Sequence, residues 1–296
     1  MKILVIGNVL FSHQLVEYLI KEKINLVGVV TTKKNIYNNS DYSDMTGLLK
    51  KHKVPIHKTN NINEATTYKW IKKCKVDLIF CLGWSRLLSV KIINLAKIGT
   101  IGFHPSLLPL NRGRHPLIWP IISGQSYTGS SFFLMNIHAD AGDIVSQDKV
   151  KINSNEKVTQ LYSKIIKTAK RQIKKIIIDT KKNNKIFTTK QKNAGNILRK
   201  RDVYEGIIDW RMNAVDINNL VNALNKPYSG ASFIYRGMEF KLWSTKVHKK
   251  ILIDNNEHGK IIHIKNNKNI IVKCGRSSIE LMKLDKKNRF KKGMYL

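Results

Sequence analysis

The run VDLIFCLG, Val76–Gly83, decides the architecture of the first two-thirds of the chain. From Leu78 to Leu82 every residue is apolar, so a strand here has no face to offer water and needs cover on both sides. The segment before it, INEATTYKWIKKC, reads as a helix opening near Asn63. Further back the same alternation recurs: an apolar run Ile3–Ile6 ending at Gly7, a helical spacing of Leu15, Val16, Leu19 and Ile20, then LVGVVTT. MTGLLKKHKV and VPIHK add another helix and strand, around a polar loop from Lys33 to Asp44. This order predicts an α/β fold with a Rossmann-like, mostly parallel sheet. Ligands in such sheets gather beyond the carboxyl ends of the strands, which draws attention to Gly83–Ser85 and to the loop that holds His104. Gly7-Asn8 is not followed by G-x-G-x-x-G, so a nicotinamide site is rejected.

Downstream, TGSSFFLMNI and IVSQDKVKI are strand-like, and Val158–Ile178 has helical spacing with lysines on its outer face. Lys181–Asn196 is rich in lysine and asparagine and is expected to be an exposed hairpin or linker. The domain boundary is placed near residue 195, giving a first domain of 1–195 and a second of 196–296. In the second, a helix from about Asp216 to before Pro227 precedes short strands in ASFIYRGMEFKLW, GKIIHI, NIIVKC and SIELMKL. A smaller, mainly β C-terminal domain is expected.

The 296 residues carry a net charge of +33, yet lysine is spread through nearly every segment with asparagine and isoleucine. That distribution is a chain-wide bias rather than a designed patch. It lacks an arginine-rich arm or an aromatic-interleaved RNA motif, so nucleic acid is not the expected partner, while anionic small substrates are favoured. Cys74, Cys81 and Cys274 have no metal-ligand spacing and leave an odd thiol if paired. MKILVIGNVL enters a strand directly, without a cleavage site or a membrane-spanning length. The expectation is a cytoplasmic protein with no metal and no membrane partner, and with a homodimer left open.

The chemistry lies outward from the second strand end, in FHPSLLPLNRGRHPLIWP, Phe103–Pro120. Pro105 cannot donate a ladder hydrogen bond and restricts the residue before it, so the strand TIGF ends at His104 and aims it outward. Pro109, Arg112-Gly113 and Pro116 stiffen a loop that brings Arg112, Arg114 and His115 to the same mouth. His104 could equally be a buried histidine bonded to a backbone carbonyl. Asp140 lies in HADAGDI among the small residues Ala139, Ala141 and Gly142, with Asp143 as a rival carboxylate suited to a turn. A histidine and an aspartate at the ends of neighbouring strands would make an acid/base and orienting pair.

The set IGFHPSLLP, RG, TGSSFF and ADAGDIVSQ resembles the formyltransferase family that uses 10-formyltetrahydrofolate. The likeness extends to RKRDVYEGIIDW and INNLVNALNKPYSGA, which resemble the C-terminal domain of methionyl-tRNA and sugar N-formyltransferases. It implies that an amine attacks the formyl carbon of the folate. His104 would then stabilise the oxyanion or shuttle a proton, and Asp140 would hold the histidine or a water and help to deprotonate the amine. The folate would lie over Gly83, Trp84, Ser85, Arg86, Leu87 and Leu88 and against Ile137, His138, Ala139 and Asp140, largely through backbone groups. Trp84 either packs on a ring of the folate or packs between helix and sheet.

One position departs from the family, which usually has Asn two residues before the histidine; here it is Gly102. Loss of such a donor to the oxyanion costs on the order of 3 kcal/mol. Arg114, His115, Gln125 or a backbone amide freed by Gly102 are candidate substitutes. On sequence alone, Gly102→Asn is expected to leave activity unchanged or raise it.

For the acceptor, KKNIYNNSDYSDMTGLLKKHKVP has acidic and tyrosine residues where tRNA enzymes resemble one another in a basic run. Arg114-His115 replaces two alanines, which points to an anionic ligand such as a nucleotide diphosphate. The resemblance therefore implies a nucleotide-sugar N-formyltransferase acting on an amino-dideoxy sugar for surface polysaccharide or O-antigen. Ser106, Arg112, Gly113, Arg114, His115 and Tyr228 are the expected substrate contacts. Tyr228 or Trp210 would stack on the base, although Tyr228 could instead pack behind the PYSGA turn. A methionyl-tRNA formyltransferase and a catalytically dead folate- or nucleotide-binding homologue are the alternatives.

Overall fold

The structure is a computed structural model that describes residues 1–33, 41–192, 195–248, 257–265, 269–286 and 289–296. Residues 34–40, the centre of the loop expected after the second strand, lie outside the described residues. The chain divides into two compact units: Met1–Pro116 with Thr128–Val150 and Ser163–Leu198, and Leu117–Tyr127 with Lys151–Tyr162 and Arg199–Leu296.

In the first unit the alternation read from the sequence is realised. β1 (Ile3–Ile6), α1 (Leu10–Lys21), β2 (Leu26–Thr31), α2 (Thr46–Lys51), β3 (Ile56–Lys58), α3 (Ala65–Lys73), β4 (Leu78–Cys81), α4 (Val90–Ile93) and β5 (Gly99–His104) follow in order. These five strands are parallel, in the order β3-β2-β1-β4-β5. β1 and β4 are buried along their whole length, as an apolar run between two helical layers requires. A short strand β6 (Arg112–Gly113) and the helix α5 (Ile118–Ile122), the latter in the second unit, come next. β7 (Tyr127–Leu134) and β8 (Ile144–Lys151) then complete a seven-stranded sheet, and α6 (Val158–Asn183) follows with a lysine-rich face. The short β9 (Ile197–Leu198) pairs in parallel with β6.

The sheet is mixed because β7 runs antiparallel to β5, with His104 opposite Ser131 and Ile101 opposite Leu134. Between β5 and β7 there is no crossover helix across the sheet face, so the chain re-enters from the end at which β5 leaves. Consequently the carboxyl end of β7 lies beside Ile101, three residues before His104 and about 10 Å from it at roughly 3.3 Å per residue.

The second unit contains α7 (Ala214–Ala223) and an antiparallel five-stranded sheet in the order β10-β11-β14-β13-β12. Its strands are β10 (Ala231–Tyr235), β11 (Met238–His248), β12 (Ile261–Lys265), β13 (Asn269–Lys273) and β14 (Ser278–Leu284). Arg236 and Gly237 both adopt positive φ, 50° and 73°, the geometry of a tight hairpin whose twist matches its strands. Phe233 and Phe240 face each other across that hairpin with ring centroids 5.5 Å apart. Trp210 is buried edge-on against Phe233, also at 5.5 Å. The expectation that Trp210 stacks on a nucleobase is therefore corrected: its ring is spent on this core. Among the described residues no helix is long and apolar enough to cross a membrane.

One carboxylate ties this sheet together. Glu280 on β14 accepts from Asn269 Nδ2 at 2.7 Å and lies 3.0 Å from His248 Nε2 and 3.9 Å from Lys265 Nζ, although its side chain is only 3% exposed. Burial pushes its pKa up, but the bonds from His248 and Asn269 outweigh burial and hold it below the ordinary carboxylate value. A lowered folded-state value stabilises above the unfolded pKa and is lost as pH falls through the folded one. Glu280→Gln should therefore lower unfolding stability by about 1–3 kcal/mol near neutral pH, the cost of mismatched buried partners. Chemical denaturation repeated down a pH series should show the gap between wild type and variant closing below the ordinary carboxylate range.

Candidate active site

The loop after β5 is held through its backbone carbonyls by side chains of β7 and β8. Thr128 Oγ1 donates to the Pro105 carbonyl at 3.1 Å, Ser131 Oγ to that of Ser106 at 2.6 Å, and Gln147 Nε2 to that of Leu108 at 2.9 Å. Ser106 is fully buried and its hydroxyl donates to the Leu110 carbonyl at 2.7 Å. The expected substrate contact at Ser106 is thus corrected, because its hydroxyl braces the loop from inside. Gly129 on β7 leaves room for this loop: a Cβ there would lie 2.6 Å from the Leu107 nitrogen and the Ser106 carbonyl.

The loop returns to His104 itself. The imidazole is 5% exposed, and its Nε2 lies 2.7 Å from the Asn111 carbonyl. A carbonyl can only accept, so Nε2 carries a proton and donates it, and in the neutral ring Nδ1 is bare. The bond to a backbone carbonyl and the orientation toward a carboxylate, weighed as alternatives in the sequence, coexist. Nδ1 faces Asp140 Oδ1 at 3.6 Å.

Asp140 does not reach His104 from the end of a neighbouring strand, as the sequence reading supposed, because β7 ends beside Ile101. The segment Met135–Gly142 instead folds back. Asp140 takes φ 55°, a left-handed conformation uncommon for a residue with a side chain. Its Oδ2 accepts the Gly113 N–H at 3.0 Å, and Gly142 packs so closely on the Leu134 carbonyl that any Cβ would collide. The Asp140 charge also reaches Cys81 at the end of β4: burial first, and then that carboxylate, push the thiol up to about 12.

Arg114 Nη1 donates to the Ser85 carbonyl at 3.3 Å, so the 83–88 loop and the RGRHP loop meet. Gly83 sits at φ 60° against Val9. Leu88 is buried in the core, and the half-buried Trp84 packs against the same core cluster. Leu87 at 61% and Ile137 at 58% exposure are large apolar side chains left on the surface, one on each loop expected to hold the folate. Arg86, His138 and Ala139 are also exposed. Such apolar surface beside polar backbone suits a flat heteroaromatic donor. Arg112 is half-buried, with Nη2 bonded to Gln191, and the Gly113 amide is taken by Asp140. His115 is half-buried at φ 57°. Tyr228 belongs to the second unit, where its N–H donates to the Asn225 carbonyl at 3.1 Å, and Gln125 is in that unit too.

The sequence reading missed Gln191 and Asn196, placed in a presumed linker. Asn196 Oδ1 accepts the Asn111 N–H at 2.7 Å and its carbonyl accepts that of Arg112 at 3.1 Å. Nothing local marks either residue: both are polar residues in a lysine-rich run.

Gly102 stands between Cys81 and Phe133 in the ladder, on the sheet face shared with His104. A Cβ on it would lie 2.6 Å from the Phe133 ring and 3.0 Å from Met135 Cγ. The opposing phenyl occupies the volume in which the family's asparagine would stand, and Phe133 is itself buried. The expectation from sequence concerns activity; the ring adds a packing cost that any side chain at position 102 would meet. Gly102→Asn should lower the melting temperature through overpacking of about 1–3 kcal/mol. Adding Phe133→Leu in the same chain should recover part of that loss, as read by thermal unfolding of both variants.

Comparison with known proteins gives the family of the chain and the likeness of its fold. The chain is 31% identical over 234 residues to the bifunctional polymyxin resistance protein ArnA of Wigglesworthia glossinidia brevipalpis, covering 78% of this chain. It spans about a third, 35%, of that relative's length. Among solved structures it is similar to WlaRD, a sugar 3N-formyl transferase crystallised with dTDP and 5-N-formyl-THF, with a TM-score of 0.69 at 17% identity over 97% of this chain and 98% of that one. An N-formyltransferase from Helicobacter canadensis, in complex with folinic acid and dTDP-3-aminofucose, gives 0.68 at 16% identity over 95% and 98%. The formyl transferase family matches residues 1–177 and its C-terminal domain residues 200–293. With His104 and Asp140 gathered at the carboxyl end of a Rossmann-like sheet, and with both family regions present in order, the chain belongs to the formyl transferase family.

Proposed function

We propose that this protein moves a formyl group from 10-formyltetrahydrofolate to the amine of a nucleotide-linked amino sugar, with the chemistry in residues 1–195. The observation that carries the reading is the His104–Asp140 pair, 3.6 Å apart, beside two loops joined by Arg114 and Ser85. The donor supplies an activated formyl carbon. The chain's part is to hold the amine and manage one proton. With Nε2–H committed to Asn111, the bare Nδ1 and the Asp140 carboxylate together form a site for a single proton. A proton leaving the attacking amine is received there, directly or through a water, and returned to the departing nitrogen as the carbon–nitrogen bond of the donor breaks. The sum is one N-formylated amine and one tetrahydrofolate.

The exposed guanidinium of Arg114, on the loop that carries His115, supports an anionic acceptor such as a nucleotide diphosphate. So does a net charge of +33. Two similar structures, one named for sugar 3N-formyl transfer and one holding dTDP-3-aminofucose, support a dTDP-linked amino sugar, with the amine at position 3 or, as the sequence also allows, 4. In that reading the product serves a surface polysaccharide and is made in the cytoplasm. Phe133 over Gly102 is the specific observation that favours a second reading, a folate- or nucleotide-binding homologue without catalysis.

Release of tetrahydrofolate, measured with dTDP-, UDP- and GDP-linked amino sugars and with charged methionyl-tRNA, separates these readings. Turnover is expected with one sugar nucleotide, whereas turnover with the tRNA, or folate binding without turnover, would overturn the proposal. With the accepted sugar, His104→Ala and Asp140→Asn should each reduce kcat by about 10²-fold or more. Near-normal rates in either variant would remove the pair from the mechanism.

A further inference from the structure

We propose that Gln191 is the positioning residue that holds Asp140 against His104. The proposal rests on the catalytic reading above for its kinetic consequence, but not for its geometry. Residues 178–199 fall between the two regions matched to the family, so no role for this segment comes with membership.

The sheet by itself leaves Asp140 far from its partner. β7 delivers the chain to Ile101, and the carboxylate has to be carried back along the sheet to His104. The returning segment has no strand partner along Ile137–Ala141, and Asp140 is in an unfavourable left-handed conformation. Such a residue keeps its place when neighbouring groups over-determine it. Gln191 does so with one side-chain amide. Its Nε2 donates to the carbonyls of Asp140, at 2.9 Å, and Gly142, at 2.7 Å. Its Oε1 accepts from Arg112 Nη2 at 2.6 Å. A cation on the oxygen polarises the amide and strengthens both bonds made by the nitrogen.

Gln191 is itself anchored. Before it, Thr189 and Ile144 exchange both backbone hydrogen bonds at 2.8 Å. After it, Asn196 bonds to Asn111, and β9 pairs with Arg112 and Gly113. The Gly113 N–H then donates to Asp140 Oδ2, and the Asn111 carbonyl accepts the hydrogen bond from His104 Nε2–H. Bonds from this segment thus reach both members of the pair, directly at the Asp140 carbonyl and through Asn111 at His104. The His104 imidazole from β5 and the Gly113 amide face the Asp140 carboxylate, whose charge also reaches the buried Cys81 thiol on β4.

The test uses the full chain with Gln191→Ala and with Gln191→Glu, which keeps an acceptor for Arg112 but loses both donors. Kinetically, kcat should fall by about tenfold or more with KM for both substrates within about twofold, because a displaced base loses rate rather than binding. The pH profile of kcat should move as well, which a brace acting on stability alone would not cause. Independently of any activity, 15N NMR of the His104 imidazole, titrated without substrates, should show Nδ1 shifted in both variants while Nε2 stays protonated. Unchanged kcat and pH profile, or an unmoved Nδ1 signal in both variants, would overturn the inference. Should the wild type transfer no formyl group, the proposed function fails while the imidazole titration still decides the role of Gln191.

Discussion

The hydrogen bond from His104 Nε2 to the Asn111 carbonyl is the constraint on which the site depends. It closes a loop over seven residues and selects one tautomer. It also turns the bare nitrogen toward Asp140. Buried serine and threonine hydroxyls bond the carbonyls of Pro105, Ser106 and Leu110, so the bond sits on a platform with little freedom. A loop satisfied from below in this way can leave a reactive nitrogen uncommitted at its upper surface.

The carboxylate opposite is held differently. His104 is carried by a strand in the middle of the sheet, whereas Asp140 is carried by a returning segment in a strained conformation. The rigid member comes from the parallel core and the placed member from loops that bond to each other. Gly102 belongs to the same economy of space: where relatives of the resembled pattern have an asparagine, the Phe133 ring lies over the glycine.

Much of this was legible in the residues. The apolar run Leu78–Leu82 and the spacing of Leu15, Val16, Leu19 and Ile20 report local periodicity, and each became the strand or helix it implied. Pro105 marked the end of β5 by forbidding its continuation. Misreadings arose where a side chain's local chemistry was ambiguous. Ser106 has the hydroxyl of a ligand contact and Trp210 the ring of a stacking platform, but the first is buried and bonded to Leu110 within its own loop, and the second is packed on Phe233, 23 positions on.

The sequence by itself determined the layered sheet, the position of the histidine and the presence of a second, β-rich part, because periodicity and proline act over a few residues. The tertiary structure alone decided that β7 runs antiparallel to β5, that Asp140 must fold back, and that Gln191 meets its carbonyl 51 positions away. Those outcomes rest on hydrogen bonds between segments whose own composition carries no sign of the partner, and such bonds exist only once the sheet has brought the segments together.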